Sequence, residues 1–329
     1  MKIKKWYLIP AILILAILAG PRPGYSDLNL TLEELNIPLN QLDNYISEKE
    51  NKIEKLKPDN EARIVWADSI RKTPYSIVYL HGWSASQEEG DPIHEELAKR
   101  YGCNLYLSRL AGHGIDSKDS FKDLTPDELF ASAKEALLIG NLIGEKTILM
   151  SCSTGGTLSN YLAANYPERV YAQLLYSPNI DIYDSSTEML TMPWGQQIAE
   201  AIIGQHHSFS PPEEGYKYWT TTYSSKGLIC LKSLVEKTMT EDTWQKIEQP
   251  LFMGYYYKNE EEQDHTVSVA AMQDFFENVS TPADKKRKVA FPNVGVHVLL
   301  SRINSKDLES VRKESFAFME EVLGMVPVD

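Results

Sequence analysis

Cysteine is scarce in this 329-residue sequence: Cys103, Cys152 and Cys230 are an odd number at wide spacing. That excludes a disulfide framework and leaves no zinc-ligand pattern, so the three read as small buried hydrophobes. Positive charge is also short, with 33 Lys and Arg against 46 Asp and Glu and a net charge of −13. An acidic surface repels phosphate backbones, which argues against nucleic acid as a partner. His94, His206, His207 and His265 lack the spacing that would bring two imidazoles onto one metal, and the adjacent pair His206-His207 is expected to be exposed. No metal and no cofactor are expected, and no internal repeat is visible. What is present is ordinary for a globular chain with a real core, 43% hydrophobic and 24% charged. The length suits one large α/β domain with an insertion or two small domains.

Long apolar runs are missing except at the start, where Lys2, Lys4 and Lys5 precede Trp6–Ala19, broken by Pro10. This is the basic and apolar order of an export signal, and the run is shorter than the ~20 residues of a comfortable spanning helix. An Ala-x-Ala cleavage pattern is lacking, Pro21 sits where a cut after Gly20 would fall, and no Cys follows for lipid attachment. Residues 1–20 are therefore expected to be an export signal or an uncut N-terminal anchor. The protein is expected to be exported and to meet the membrane through this segment. Residues 21–61 read as a connector. GPRPG is a stiff, turn-rich exit, Thr31 with Glu34 suggests the capping box of a short helix, and Leu39, Leu42, Ile46, Ile53 and Leu56 share one helical face.

From Ala62 short apolar runs alternate with amphipathic stretches, which predicts an α/β fold with a mostly parallel sheet covered on both faces. Strands are expected at 63–67, 76–80, 104–108, 147–150, 171–176, 251–257 and 288–291. Helices are expected at 91–100, 125–143, 157–166, 268–278 and 308–323. The run Thr147–Met150 stops abruptly at small residues around Ser153, and a helical stretch follows. A nucleophile on so sharp a strand-to-helix turn is pushed clear of the backbone, and small residues at ±2, here Ser151 and Gly155, let the chain fold that tightly. The helix would aim its positive end at a forming oxyanion. Earlier, LHGWSAS ends a strand in His81-Gly82, where the backbone N–H of Trp83 is placed to face a reacting carbonyl; the N–H of Thr154 would be the second donor. His113 in RLAGHG reads as structural.

With LHGWSAS, RLAGHG, SCSTGG, EQDHTVSV and NVGVHVLLS in that order, the chain resembles the α/β-hydrolase superfamily from about Ala62 to Leu323. Within it, the similarity is to the monoglyceride lipase, carboxylesterase and serine aminopeptidase-like group. The resemblance implies a mostly parallel sheet with helices on both faces and a small helical cap, at about residues 185–249, inserted before the penultimate strand. It implies Ser153 as nucleophile, Asp264 as acid and His297 as base. Three departures matter. Ala111 stands where the family usually has Pro, Ser151 where it has Gly, and KNEEEQ lengthens the path from Gly254 to Asp264. Glu260, Glu261, Glu262 and Asp181 therefore remain rival acids. A serine is a weak nucleophile until an imidazole takes its proton, and a carboxylate holds that imidazole in place. The expected activity is hydrolysis of short to medium acyl esters, monoacylglycerol-like substrates included. Peptidase, thioesterase or acyltransferase use of the same residues stays open, as does a non-catalytic binding protein.

Overall fold

The computed structural model describes residues 19–328. The lysine-flanked run expected as signal or anchor lies outside the described residues except for its last positions. Among the described residues no helix is long and apolar enough to cross a membrane.

In chain order the strands are β1 (Arg63–Val65), β2 (Thr73–Leu80), β3 (Asn104–Leu107), β4 (Gly144–Cys152), β5 (Ala172–Tyr176), β6 (His206–Ser208), β7 (Thr222–Ser224), β8 (Leu251–Tyr255) and β9 (Lys286–Ala290). The helices are α1 (Leu39–Glu50), α2 (Ile93–Tyr101), α3 (Pro126–Ile143), α4 (Thr154–Asn165), α5 (Gly195–Ile202), α6 (Lys226–Thr238), α7 (Glu241–Trp244), α8 (Val269–Asn278) and α9 (Leu308–Glu321). One sheet runs in the order β1-β3-β2-β4-β5-β8-β9. Within it β1 is antiparallel to β3 and every other pair is parallel. The period-2 alternation of β2 assigns its faces. Ile77 and Tyr79 pack with Leu97 of α2 and Phe318 of α9, while Val78 and Leu80 pack with Phe130 of α3 and Leu158 of α4. A central parallel strand is buried on both sides, so β4 reads as a continuous apolar run rather than an alternating one.

Several boundaries differ from expectation for identifiable reasons. Helix α4 begins at Thr154 rather than Thr157, because Gly155 and Gly156 serve close approach to neighbouring backbone instead of breaking the helix. Thr31 and Glu34 cap no helix. The carbonyls of Asn29 and Thr31 accept from Lys134 Nζ (2.6 and 2.9 Å), that of Leu30 accepts from Tyr166 Oη (2.8 Å), and Glu34 pairs with Arg169. Tertiary donors thus take the backbone acceptors that a helix would use. Helix α1 buries Leu42 and Ile46 and stops at Glu50, which leaves Ile53 and Leu56 beyond it.

The insertion between β5 and β8 is not purely helical. It holds α5 and a ribbon in which His206, His207 and Ser208 of β6 pair with Ser224, Tyr223 and Thr222 of β7. Helix α6 returns to the domain, placing Cys230 and Leu234 in the core beside α3. The connector grips this insertion at both ends. Trp194 N–H donates to the Pro21 carbonyl (2.8 Å), Tyr25 packs on Leu190, Ala199 and Ile229, and Asp27 pairs with Lys237 (3.1 Å). Further along, Lys57 Nζ donates to the carbonyls of Tyr216 (3.0 Å) and Trp219 (2.7 Å), and Asn60 Nδ2 to that of Lys217 (3.0 Å).

Candidate active site

Parallel strands leave their carboxyl ends on one edge, and ligand sites in such sheets collect there. Ser153 follows β4 on that edge with φ 52° and ψ −119°, a strained conformation that persists only where the surroundings hold it. They do so through the backbone. Ser153 N–H donates to Tyr176 O (3.1 Å), and its own carbonyl accepts from the N–H groups of Gly156 (2.8 Å) and Asn179 (3.0 Å). A Cβ at Gly155 would stand 1.9 Å from the Leu80 carbonyl oxygen, and one at Gly156 would stand 2.6 Å from Pro178 Cβ. Those are the steric reasons for the two glycines. Ser151, found where a glycine was the usual residue, fits because its small side chain is wholly buried.

His297 comes from the loop after β9 and Asp264 from the loop after β8. Asp264 Oδ2 lies 2.6 Å from His297 Nδ1, while its other oxygen accepts from the N–H groups of Thr266 (2.8 Å) and Val267 (3.2 Å). Burial would raise the Asp264 pKa, but the His297 imidazole and the two backbone donors outweigh it and hold the carboxyl below its usual range. For His297 burial works downward and is overcome by the charge and hydrogen bond of Asp264, with Glu89 adding to them, so its pKa is raised. Glu261 is exposed, and the other rival acids are engaged elsewhere. Glu260 accepts from Tyr257 Oη and Glu262 from Lys258, and Asp181 Oδ1 accepts from Lys232 Nζ (3.1 Å) and its neighbour's N–H. The lengthened stretch KNEEEQ is a small excursion closed at its base. Tyr257 bridges Gln263, Lys258 N–H donates to Glu262 O (2.9 Å), and Asp264 N–H returns to Tyr256 O (3.2 Å). Asp264 is thereby restored to the strand end as if the extra residues were absent.

The Gly82–Trp83 loop faces the same point. His81 donates from Nδ1 to the Gly82 carbonyl (2.9 Å) and accepts the Leu110 N–H at Nε2 (3.0 Å). Burial lowers its pKa to about 4, so it is neutral and structural. The Trp83 ring is fixed among His113, Phe121 and Tyr223. Buried His113 bonds the Ala111 carbonyl (2.9 Å) and is held well below its ordinary pKa by burial. It packs behind Trp83 and does not line the cavity. Thr154 is the first residue of α4, and its N–H is one of the first-turn donors without an intrahelical acceptor.

Ser153, Thr154, Trp83 and His297 open into one cavity of about 770 Å³, roofed by the insertion with Met189, Leu190, Ile198, Ile202 and Trp219 among its lining. The pair expected to be exposed is instead on β6. His206 lies 3.2 Å from Asp119, and His207 is half-buried and lines the cavity beside Tyr223. A strand, not a helix, carries the two, so they point to opposite faces. Sequence reasoning missed Glu89. It is 2% exposed, it lines the cavity, and its carboxylate accepts from Gly82 N–H (2.7 Å) and Tyr79 Oη (3.1 Å). Nothing in Gln87-Glu88-Glu89-Gly90 separates it from a solvated acidic turn.

The strand order, the serine turn after β4 and the roofed cavity define the α/β-hydrolase fold. Solved structures agree. This chain is similar to a metagenome-derived lipolytic enzyme described with LipS and LipT (16% identity, 80% of this chain, 99% of that one, TM-score 0.66). It is also similar to the monoacylglycerol lipase of Paleococcus ferrophilus (14%, 78%, 97%, 0.58) and to Est1E of Butyrivibrio proteoclasticus with bound ferulic acid (17%, 80%, 95%, 0.55). No family model matches the sequence, and no curated protein matches it.

Proposed function

We propose that the chain is a serine hydrolase of carboxylic esters, with Ser153 as nucleophile, His297 as base and Asp264 as the residue that orients it. The observation carrying this reading is the 2.6 Å Asp264–His297 pair, whose imidazole opens with the strained Ser153 into one largely apolar cavity. In the first half-reaction Ser153 Oγ attacks the acyl carbon as His297 Nε2 takes its proton. The oxyanion is met by the Trp83 and Thr154 N–H groups. Collapse of the tetrahedral adduct releases the alcohol, protonated by the His297 imidazolium, and leaves an acyl-serine. Water then attacks under the same base, freeing the carboxylic acid and restoring Ser153.

The roof supports a neutral apolar acyl group of short to medium length, as in a monoacylglycerol. Each buried CH₂ adds up to ~0.8 kcal/mol, so preference among neighbouring lengths is gentle and ends where the cavity ends. The lysine-flanked run Trp6–Ala19 supports export and a position at the membrane; fractionation of the full chain tests this, and a cytoplasmic soluble protein with an intact N-terminus would reject it. The activity is tested by fluorophosphonate labelling of wild type and Ser153→Ala. Alongside it, kcat/KM is measured over p-nitrophenyl esters and a matched series of aminoacyl amides. Equal labelling of both proteins would sink the mechanism, and faster turnover of the amides would replace esterase by peptidase.

A further inference from the structure

Glu89 is a buried carboxylate for which ester hydrolysis by the three residues above has no use. It sits on the single turn Gln87–Gly90, between the Gly82–Trp83 loop and α2. Both of its anchoring bonds converge on one oxygen, Oε2, which accepts from Gly82 N–H at 2.7 Å and from Tyr79 Oη at 3.1 Å. Its other oxygen lies toward the nucleophile. A Cβ at Gly82 would stand 2.7 Å from Glu89 Oε1 and 3.0 Å from Ser153 Cβ, so bare Gly82 backbone is what separates the two side chains. A purely structural acceptor for one N–H and one hydroxyl would be cheaper as a neutral amide, since a buried carboxylate carries a desolvation penalty that an amide avoids. A charge retained here, facing the cavity, has an electrostatic consequence at the imidazole.

We infer that Glu89 is a positioning residue of this site: it holds the Gly82 peptide, and with it the Trp83 N–H, toward Ser153, and its negative charge joins that of Asp264 in stabilising the His297 imidazolium. The inference rests on the hydrolase reading for its catalytic meaning, though the coupling between the two groups does not. The surrounding charges are consistent. Burial raises the Glu89 pKa to about 7, opposed by the Gly82 N–H, the charge of His297, the Tyr79 hydroxyl and the Cys152 thiol. Tyr79 on β2 and Cys152 on β4 are both pushed well above their ordinary values by burial and remain protonated donors. Tyr176 on β5 is likewise raised, Asp264 is held ionised, and His94 on α2, edge-on to Tyr79, is lowered to about 4 by burial and stays neutral. His297, raised by Asp264 and by the charge of Glu89, is thus the neighbour whose titration responds to that charge. As pH falls, Glu89 gains a proton and loses its charge while His297 gains one and ceases to be a base.

Glu89→Gln keeps an acceptor for the Gly82 N–H and removes the charge. The expected result is a His297 titration, followed by NMR of the imidazole, displaced about one pH unit downward, with a matching roughly 10-fold fall in plateau kcat and little change in KM. The acid limb of kcat/KM should move to lower pH along with that titration. Tyr79→Phe withdraws one donor from the carboxylate and should move the limb the other way, to higher pH; it serves if Glu89→Gln does not fold. Imidazole titrations that superimpose in wild type and Glu89→Gln, or a Tyr79→Phe limb that stays in place, would overturn the inference. An NMR shift without ester hydrolysis in wild type would keep the coupling and reject the hydrolase.

Discussion

On the sheet side of the cavity, Ser153, Thr154 and Asp264 are 7%, 0% and 1% exposed, and backbone hydrogen bonds to Tyr176 and Tyr256 at neighbouring strand ends fix the first and the last. On the roof side, Met192 and Ile202 are 50% and 70% exposed, and the roof's own core is the small cluster of Leu190, Ala199 and Ile229. Charges carry much of the roof's attachment. Lys232 reaches Asp181, Glu188 and Glu236, and Arg302, on the loop after His297, reaches Glu88 and Asp91 on the domain and Glu214 on the roof. Close packing resists displacement over tenths of an ångström, whereas the exposed ion pairs of Arg302 yield to salt and solvent. On the proposed hydrolase reading, the sheet side would hold reacting atoms still and the roof would admit a range of acyl groups.

The comparison breaks most completely on the sheet side. Ser153→Ala is expected to lower kcat by roughly six orders of magnitude with the fold intact, checked by single-turnover ester hydrolysis and thermal melting. Asp264→Asn should follow, at about 10⁴-fold in kcat, while Asp181→Asn should leave kcat nearly unchanged. It should also displace the acid limb. On the proposed mechanism His297 must be neutral to accept the serine proton, and its pKa is raised in the native site, so wild-type activity should fall as pH drops through a value above ~6.5. Loss of the Asp264 charge should move that limb to lower pH. On the roof, Ile198→Ala should alter the preference among acyl lengths by no more than about 10-fold per methylene and leave the pH profile in place. The smallest effect is expected from Arg302→Gln, a salt-sensitive increase in proteolysis of the roof with little change in kcat. A large kcat loss there would erase the distinction between the two walls.

Legibility followed the same division. The sharp turn at Ser153 between β4 and α4 could be read because so tight a strand-to-helix turn imposes local steric rules on adjacent residues. The buried strands were legible through their continuous apolar runs, and α3 as the amphipathic stretch 125–143, which in the fold opens with a capping box of Thr125 and Glu128. The ribbon β6–β7 was not, since three-residue strands with His, Ser and Thr carry too little periodicity to register. The Thr31–Glu34 helix failed because distant donors claimed its carbonyls, a contest invisible along the chain. Glu89 was hidden for a related reason. Its burial is set by Tyr79 and Gly82, which precede it on another element, and nothing in its own neighbours marks it as interior.

The connector's double grip on the roof changes what a lid means here. Pro21, Tyr25 and Asp27 hold one end of the insertion, and Lys57 and Asn60 hold the other. The insertion is thus tied down not by its own two chain ends alone but also, like a bridge deck, by supports that belong to an earlier part of the chain. A chain shortened to start at Ala62 would keep Ser153, Asp264 and His297 yet lose both supports. Its α5 and β6–β7 amides should exchange with solvent faster than in the full chain while those of β4 and β5 stay protected. Equal protection of the roof in the two proteins would show that the deck carries itself.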